Sequence, residues 1–206
     1  MEDILGVYQL PYNQKEPVLC LDEKPYNLHK DTISPLPMRV GSTKKIDYEY
    51  ARNGHVSIFS IIEPLTGKQH VDARKKRTAM DFAEVVKWIV DDLYPEADKI
   101  ILVLDNLNTH KVGSLYKRFK APEANRIMSK LEFHYTPKHG NWLNIAEIGI
   151  NILTRQCLSR RIPTVEVLSS ELEAWCEERN KVNHKINWQF TTKDARIKLR
   201  SLYPKL

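Results

Sequence analysis

The sequence predicts an α/β fold in which helices cover a mixed sheet. Short runs rich in β-branched residues alternate with longer segments whose apolar residues recur at helical spacing. The first strands follow one another closely and are expected to pair antiparallel, whereas helices separate the later strands, which favours parallel pairing. A chain of 206 residues is long enough for one substantial core. We therefore expect a single domain over residues 1–206.

The amino-terminal half is expected to contain mostly strands. The predicted elements are a strand at 17–22, a Pro-rich loop at 34–45, two strands at 46–51 and 55–64 joined by a turn at 52–54, and a third antiparallel strand at 68–73. A helix over 79–94 then begins at the N-cap Thr78 and ends at Pro95.

The carboxyl-terminal half alternates strands and helices before it becomes helical. The predicted elements are a strand at 99–105, a helix around 111–119, a strand at 131–136, a helix that contains residue 147, and a helix at 164–183. A tail follows this last helix. Several antiparallel strands followed by a helical crossover into further strands are typical of a mixed sheet.

Two of the predicted strands end on an acidic residue. The runs 17–22 (PVLCLD) and 99–105 (KIILVLD) end at Asp22 and Asp105. If these strands lie parallel and adjacent, both acids emerge at the carboxyl edge of the sheet, where ligands bind in open α/β sheets. This placement predicts a site that contains two carboxylates.

Glu147 is the third notable acid. It lies in 141–151 (NWLNIAEIGIN), a helical stretch so apolar that we expect it to be largely buried. Asn144, Asn151 and Thr154 share one narrow polar stripe with it. Two interpretations stay open on this pattern: a hydrogen-bonded core glutamate, or the third acid of a metal site formed with Asp22 and Asp105.

The composition argues against several classes of protein. The 32 Lys and Arg residues outnumber the 26 Asp and Glu residues, and the net charge of +6 favours a polyanionic partner. The three cysteines, Cys20, Cys157 and Cys176, form no CxxC motif and cannot all pair, which argues against structural disulfides and a zinc cage. No run reaches the about 18 apolar residues of a membrane span, and residues 1–14 lack a signal-peptide core. We expect a cytoplasmic protein without a membrane partner.

Five stretches of the chain match one known family. They are 20–25 (CLDEKP), 102–110 (LVLDNLNTH), 134–147 (HYTPKHGNWLNIAE), 154–163 (TRQCLSRRIP) and 187–196 (NWQFTTKDAR). They run almost from end to end, and the third is highly specific. With them the chain resembles the DDE transposases of bacterial insertion sequences, in the branch of the mariner superfamily usually called IS six-thirty.

The resemblance implies a ribonuclease-H-like fold and a catalytic triad of Asp22, Asp105 and Glu147. Three converging carboxylates repel one another unless cations neutralise them, and hard oxygen ligands select Mg²⁺ or Mn²⁺. We expect two ions, with Asp22 as the bridging ligand and the other two acids each completing one ion. The implied activity is cleavage of double-stranded DNA at transposon ends, followed by joining of the freed 3′-hydroxyl to target DNA.

Two features depart from the family pattern. The 41 residues between Asp105 and Glu147 exceed the usual interval, and we assign the surplus around 120–125 (KAPEAN) to a surface loop. Relatives also carry a helix-turn-helix region that recognises transposon ends, whereas only 21 residues precede Asp22. We expect this region to be absent from the chain. We expect the helix-turn-helix region either to lie on an upstream polypeptide or to be missing because the chain is a fragment or remnant. A homodimer is a further expectation for the assembly.

Basic side chains near the triad are candidate DNA contacts. They are Arg155, Arg160, Arg161, His110 and His139. Glu23 directly follows Asp22 and is expected either to orient water or phosphate or to have a simple turn role.

Two alternative functions stay open. One is a ribonuclease-H-like nuclease that cleaves without joining, and the other is a catalytically silent DNA-binding remnant. A phosphatase of the haloacid-dehalogenase type is disfavoured, because Asp105 is followed by Asn106 and Leu107 and lacks a second aspartate two residues on.

Overall fold

A five-stranded mixed sheet lies at the centre of the computed structural model, which describes residues 1–138 and 140–203. The strands are β1 (Val18–Asp31), β2 (Tyr50–Glu63), β3 (Lys68–Arg74), β4 (Ile100–Leu104) and β5 (Leu131–Tyr135). Their order in the sheet is β3-β2-β1-β4-β5. β2 pairs antiparallel with β1 and β3, whereas β4 pairs parallel with β1 and β5. The predicted mixed sheet is confirmed.

Helices lie on both faces of this sheet. They are α1 (Glu2–Val7), α2 (Ala79–Trp88), α3 (Gly113–Arg118), α4 (Ala121–Ser129), α5 (Ala146–Gln156), α6 (Val165–Val182) and α7 (Thr192–Lys198). A π-helical turn at Ile89–Leu93 continues α2, and short 3-10 turns occupy Asn141–Leu143 and Arg200–Leu202. Within residues 1–138 and 140–203, every helix is too short or too polar to cross a lipid bilayer.

The side chains of β1 alternate between two apolar cores. Leu19 and Leu21 pack with residues of α2, α3 and α4 on one face of the sheet. Val18 and Cys20 pack with residues of α1, α5 and α7 on the other. Because successive side chains of a strand point to opposite faces, Asp22 continues the second series and points to the face that α5 covers.

β1 is longer than predicted. We expected a strand that ends at Asp22, but Asp22 is the fifth residue of a 14-residue strand. Residues beyond it keep their backbone hydrogen-bonding partners because β2 pairs with them as far as Asp31 and Tyr50. A polar strand segment is tolerated there because most of its side chains are only partly buried.

The predicted turn at 52–54 is wrong. β2 runs without interruption through these residues, and His29 and Lys30 of β1 pair with Arg52 and Ala51. Gly54 has a φ of 100°, a conformation that glycine adopts without a steric penalty. Two β2 residues, Asn53 and Gly54, lie opposite the single β1 residue Leu28, so the glycine accommodates a strand irregularity instead of a hairpin turn.

Three helices differ from the predictions. The expected surface loop at 120–125 instead begins α4, where Pro122 occupies the first turn and Ala124 and Ile127 are buried. α1 and α7 were not predicted. Thr191 and Asp194 form a capping box at the start of α7, which is a recognisable signal in the sequence.

α6 closes the outer edge of the sheet. The Asn180 side chain accepts a hydrogen bond from the Gln69 N–H and donates one to the Gln69 carbonyl, each at 2.8 Å. The fully buried Gln69 side chain in turn accepts from Arg179 and faces α5. A Cβ atom at Gly149 of α5 would lie 2.3 Å from Gln69 Nε2, so a larger residue there would require the Gln69 side chain to move.

We predict that Asn180→Leu lowers the free energy of unfolding by about 1–3 kcal/mol, because the Gln69 peptide loses both edge partners. Urea unfolding of wild type and variant measures the difference. Lys181→Leu, at the next and exposed position, is the matched control and should change stability by no more than about 0.5 kcal/mol. Equal losses in the two variants would contradict the role assigned to Asn180.

Candidate active site

The pairing of β1 with β4 aligns two of the predicted acids. Cys20 lies opposite Val103 in this parallel pair. Continuing the register by two residues in each strand brings Asp22 level with Asp105, which directly follows the end of β4 at Leu104. This register agrees with the expectation that the two acids lie at the same position along the sheet.

A buried asparagine attaches the start of α5 to β1. Asn144 Nδ2 donates a 2.9 Å hydrogen bond to the carbonyl of Leu21, the residue before Asp22. Its Oδ1 accepts from the Ala146 N–H at 3.1 Å. Glu147 lies in the first turn of this helix, so Asn144 holds it close to the strand that carries Asp22.

Tyr8 supports the same segment from the other side. Its hydroxyl donates to the Leu143 carbonyl at 2.6 Å and accepts from the Ile145 N–H at 3.4 Å. Tyr8 directly follows α1. The sequence did not indicate its role, because nothing around Tyr8 distinguishes it from the other tyrosines. The approach to Glu147 is therefore fixed by contacts from both β1 and the amino-terminal segment.

α5 is less buried than predicted. Its inner face consists of Ala146, Gly149 and Leu153, whereas Trp142 and Ile148 are 43% and 39% exposed. This segment has more apolar residues than can fit on the side of the helix that packs on the sheet. Some of them therefore face solvent. Glu147 itself is partly buried, which leaves it accessible from outside.

The three acids act on one another electrostatically. Burial, together with the negative charges of Asp105, Glu147 and Glu23, raises the pKa of Asp22 to about 6. A 2.7 Å hydrogen bond from the Glu23 N–H to Asp22 Oδ1 partly opposes this increase. The structure thus brings the three predicted residues within electrostatic range.

His110 lies in the core and not on the DNA-accessible surface. Its side chain is 0% exposed, and its Nε2 lies 2.9 Å from Glu23 Oε1. Nδ1 lies 2.5 Å from Asp105 Oδ1, in an alignment too bent for a regular hydrogen bond. Burial alone would lower the pKa of His110, but the Asp105 and Glu23 carboxylates outweigh it and raise the pKa to about 9. This burial contradicts the expected DNA contact, and the two carboxylates favour the protonated form of His110.

Two of the predicted basic contacts are engaged in ion pairs within the chain. Arg160 pairs with Glu171. Arg161 binds Asp31 at 2.8 Å and donates to the carbonyls of Tyr48 and Glu49, so it anchors the end of the loop between β1 and β2. These contacts correct the expectation that both arginines are available to phosphates.

Arg155 and His139 are the remaining two predicted basic contacts. Arg155 is exposed in the last turn of α5, and no acidic partner contacts it among residues 1–138 and 140–203. The prediction for His139 lies outside the described residues. Of the four predicted DNA contacts that lie in the described residues, Arg155 is the one whose surroundings favour that role.

The acids fit a divalent metal ion by their chemistry. Asp22, Asp105 and Glu147 offer only carboxylate oxygens, the ligands that Mg²⁺ and Mn²⁺ prefer. Burial is the main cause of the raised pKa of Asp22, and the negative charges of the other two acids add to it. Across the described part of the chain, no three His, Cys, Asp or Glu side chains are already arranged to enclose an ion. The donor set fits the metal, whereas a preformed cage is not present in those residues.

A family model described as DDE superfamily endonuclease matches residues 17–169. The chain belongs to this family. The matched range contains Asp22, Asp105 and Glu147, and it confirms the DDE part of the resemblance found in the sequence. None of the curated proteins compared with the chain matches it.

A solved structure shares the fold. A chain in the cryo-EM structure of the simian T-cell lymphotropic virus intasome in complex with PP2A regulatory subunit B56 gamma resembles this endonuclease-family chain with a TM-score of 0.51. The two chains are 12% identical, and the match covers 96% of this chain and 59% of that one. At this identity the likeness concerns the fold alone. Together with the mixed sheet and its flanking helices, it confirms the predicted α/β, ribonuclease-H-like fold class.

We predict that Asp22→Asn stabilises the metal-free protein in a pH-dependent way. The folded pKa of Asp22, about 6, lies above the unfolded value near 3.8, so folded Asp22 still binds a proton where the unfolded chain has lost it. Wild-type stability should therefore fall as pH rises from about 4 to 6, by on the order of 3 kcal/mol, and then level off. The asparagine variant lacks this loss.

Chemical unfolding in EDTA between pH 4.5 and 7.5 measures this difference. The advantage of Asp22→Asn should be small at pH 4.5 and largest at pH 7.5. A variant that is less stable than wild type at every pH, or a constant difference, would show that Asp22 is not strained by its neighbours.

Proposed function

We propose that this chain is the catalytic domain of an insertion-sequence transposase that cleaves DNA phosphodiesters and transfers the freed strand. The observation that carries the proposal is the common location of Asp22, Asp105 and Glu147 within a chain of the DDE endonuclease family. The sequence motifs favour the IS six-thirty branch. The predicted upstream helix-turn-helix polypeptide and homodimer stay predictions.

Asp22, Asp105 and Glu147 would hold the divalent cations, for which two Mg²⁺ or Mn²⁺ ions are the expected complement. Bound cations supply Lewis acidity that activates the attacking oxygen and stabilises the leaving oxygen of a phosphodiester. The protein supplies the carboxylates in fixed positions. The Glu23 N–H orients Asp22 Oδ1, and Asn144 fixes the turn that carries Glu147.

Double-stranded DNA is the proposed substrate. The net charge of +6 favours a polyanion, and Arg155 is exposed two turns along the same helix from Glu147. A side chain there is suited to hold a phosphate near the acids, because phosphate contacts determine the position of the DNA backbone. Phosphate contacts carry no sequence information directly, so the DNA binding that Arg155 supports is expected to be independent of sequence.

Strand transfer is the step that separates this proposal from the alternative nuclease. Both enzymes would use the same three acids to cleave, but only the transposase joins a 3′-hydroxyl to a second duplex. A catalytically silent remnant would bind DNA without either product.

We predict metal-dependent nicking of supercoiled plasmid DNA, together with joining of a labelled 3′-hydroxyl oligonucleotide to that plasmid. Mg²⁺ and Mn²⁺ should support both reactions and Ca²⁺ should support them poorly, because its coordination is looser and more variable. Asp22→Asn, Asp105→Asn and Glu147→Gln should each reduce nicking by more than the roughly 10–100-fold that outer-shell residues of metal sites contribute.

Glu178→Gln, a carboxylate-to-amide change at an exposed position of α6, is the matched control and should nick like wild type. Nicking without joined product would favour the nuclease. Nicking that persists in EDTA, or that survives all three substitutions, would refute the assignment of the acids.

A second prediction concerns the basic residue beside the site. Arg155→Ala should weaken DNA binding and reduce the slope of log K against log salt by about 0.9, the contribution of one phosphate contact. Arg160→Ala should change the slope less, because Glu171 already neutralises Arg160. Fluorescence anisotropy across a salt series measures both. Equal slopes for wild type and Arg155→Ala would remove Arg155 from the DNA interface.

A further inference from the structure

A chain of three polar side chains includes one of the acids, and its other two members are buried. Its members are Glu23, His110 and Asp105, and we call the first two the Glu23–His110 support. The Glu23 and His110 side chains are 2% and 0% exposed. Both ring nitrogens of His110 face carboxylate oxygens, with Nε2 2.9 Å from Glu23 and Nδ1 2.5 Å from Asp105.

The histidine is held from other directions as well. The ring of Phe82 packs against it with centroids 4.8 Å apart. The Tyr135 hydroxyl donates a 2.8 Å hydrogen bond to the His110 carbonyl. The imidazole is therefore packed by α2 and the backbone of His110 is held by β5, two elements that do not carry any of the three acids.

Stability alone does not account for this arrangement. Buried ionic groups are often no more stabilising than apolar residues of similar volume. Glu23 Oε2, His110 Nδ1 and Asp105 Oδ1 are also buried without a regular hydrogen bond. Buried polar atoms in this state require an explanation other than the stability of the core.

Asp105 needs an external support. It directly follows β4, and the three residues after it are exposed and lie outside regular secondary structure. The backbone of such a segment does not fix a carboxylate by itself. His110 confines Oδ1, so Oδ2 is the oxygen of Asp105 that does not face the support.

We propose that Glu23 and His110 are positioning residues that fix the Asp105 carboxylate relative to Asp22. Glu23 is adjacent to Asp22 in β1, so the support joins the strand of one acid to the loop of the other. This inference rests on the proposed function, since it assigns Asp105 to a metal-binding site. Groups that orient metal ligands typically contribute 10–100-fold to metal affinity or activity.

Two substitutions of His110 separate its contacts. Asparagine carries its side-chain nitrogen at the same bond distance from Cα as Nδ1, so His110→Asn keeps a donor toward Asp105. Glutamine carries its nitrogen at the distance of Nε2, so His110→Gln keeps the donor toward Glu23 and loses the one toward Asp105.

The measurements are Mn²⁺ binding without DNA, followed by electron paramagnetic resonance, and kcat and KM for plasmid nicking. His110→Gln should weaken Mn²⁺ binding and lower kcat, each by roughly 10–100-fold, with KM for DNA unchanged. His110→Asn loses only the contact with Glu23, so it should weaken Mn²⁺ binding and lower kcat by less than His110→Gln does. Thr164→Ala, which removes the N-cap hydroxyl of α6, controls for a general loss of stability and should lower the melting temperature without changing Mn²⁺ binding.

The outcomes distinguish the two levels of inference. If wild type binds Mn²⁺ and nicks DNA, but His110→Gln and His110→Asn behave alike, the positioning role is wrong while the proposed function stands. If wild type neither binds Mn²⁺ nor nicks, the proposed function fails first and the positioning role fails with it. Should a His110 variant be too unstable to purify, Glu23→Gln keeps the packing volume and should weaken Mn²⁺ binding; unchanged binding in that variant would also overturn the role.

Discussion

The parallel pairing of β1 with β4 is the constraint on which the rest of the site depends. Three residue pairs, from Val18 with Ile101 to Cys20 with Val103, establish the register. This register brings Asp22 level with Asp105, and a slip of one residue would turn Asp22 toward the opposite core. Such a slip is opposed because it would move the Asp22 carboxylate into the apolar core around Leu19 and Leu21.

The third acid depends on different contacts. Glu147 lies on a helix, and a helix resting on a sheet by an apolar face has freedom to slide. Asn144 limits that freedom by binding the backbone of Leu21 and of Ala146, and Gly149 permits close packing on Gln69. Hydrogen bonds from one side chain to two backbone groups fix the position of the helix more directionally than apolar packing does. Burial is the main cause of the raised pKa of Asp22, and the negative charges of Asp105 and Glu147 add to it. Bound cations would relieve the repulsion among the three carboxylates.

The sequence predicted the elements of the core better than the polar contacts between them. The strands at 99–105 and 131–136 and the helices at 79–94 and 164–183 have strong periodicity, and the structure contains all four. The sequence did not predict the extension of β1 beyond Asp22, because the polar, partly exposed residues of this segment do not alternate with apolar ones. Gly54 was read as a turn because a positive φ is more common in turns, although it here accompanies a strand irregularity.

At the site, too, the sequence predicted individual residues better than the contacts between them. The acids could be named because each ends a run of apolar residues or interrupts one, and because they lie in a recognisable motif. The partners of these acids could not, since the contacts of Tyr8 with Leu143 and of His110 with Glu23 join residues 135 and 87 positions apart. His110 and Arg161 were expected to face DNA because their charge is visible in the sequence, whereas their burial and ion pairs depend on tertiary packing.

The central claim is that Asp22, Asp105 and Glu147 form one metal site. Anomalous diffraction from crystals soaked in Mn²⁺, at a concentration that supports nicking, tests this most directly. We expect anomalous peaks within coordinating distance of the Asp22 carboxylate and of Asp105 or Glu147, and their loss in Asp22→Asn crystals. Manganese bound only elsewhere, or peaks that persist unchanged in the variant, would contradict the claim.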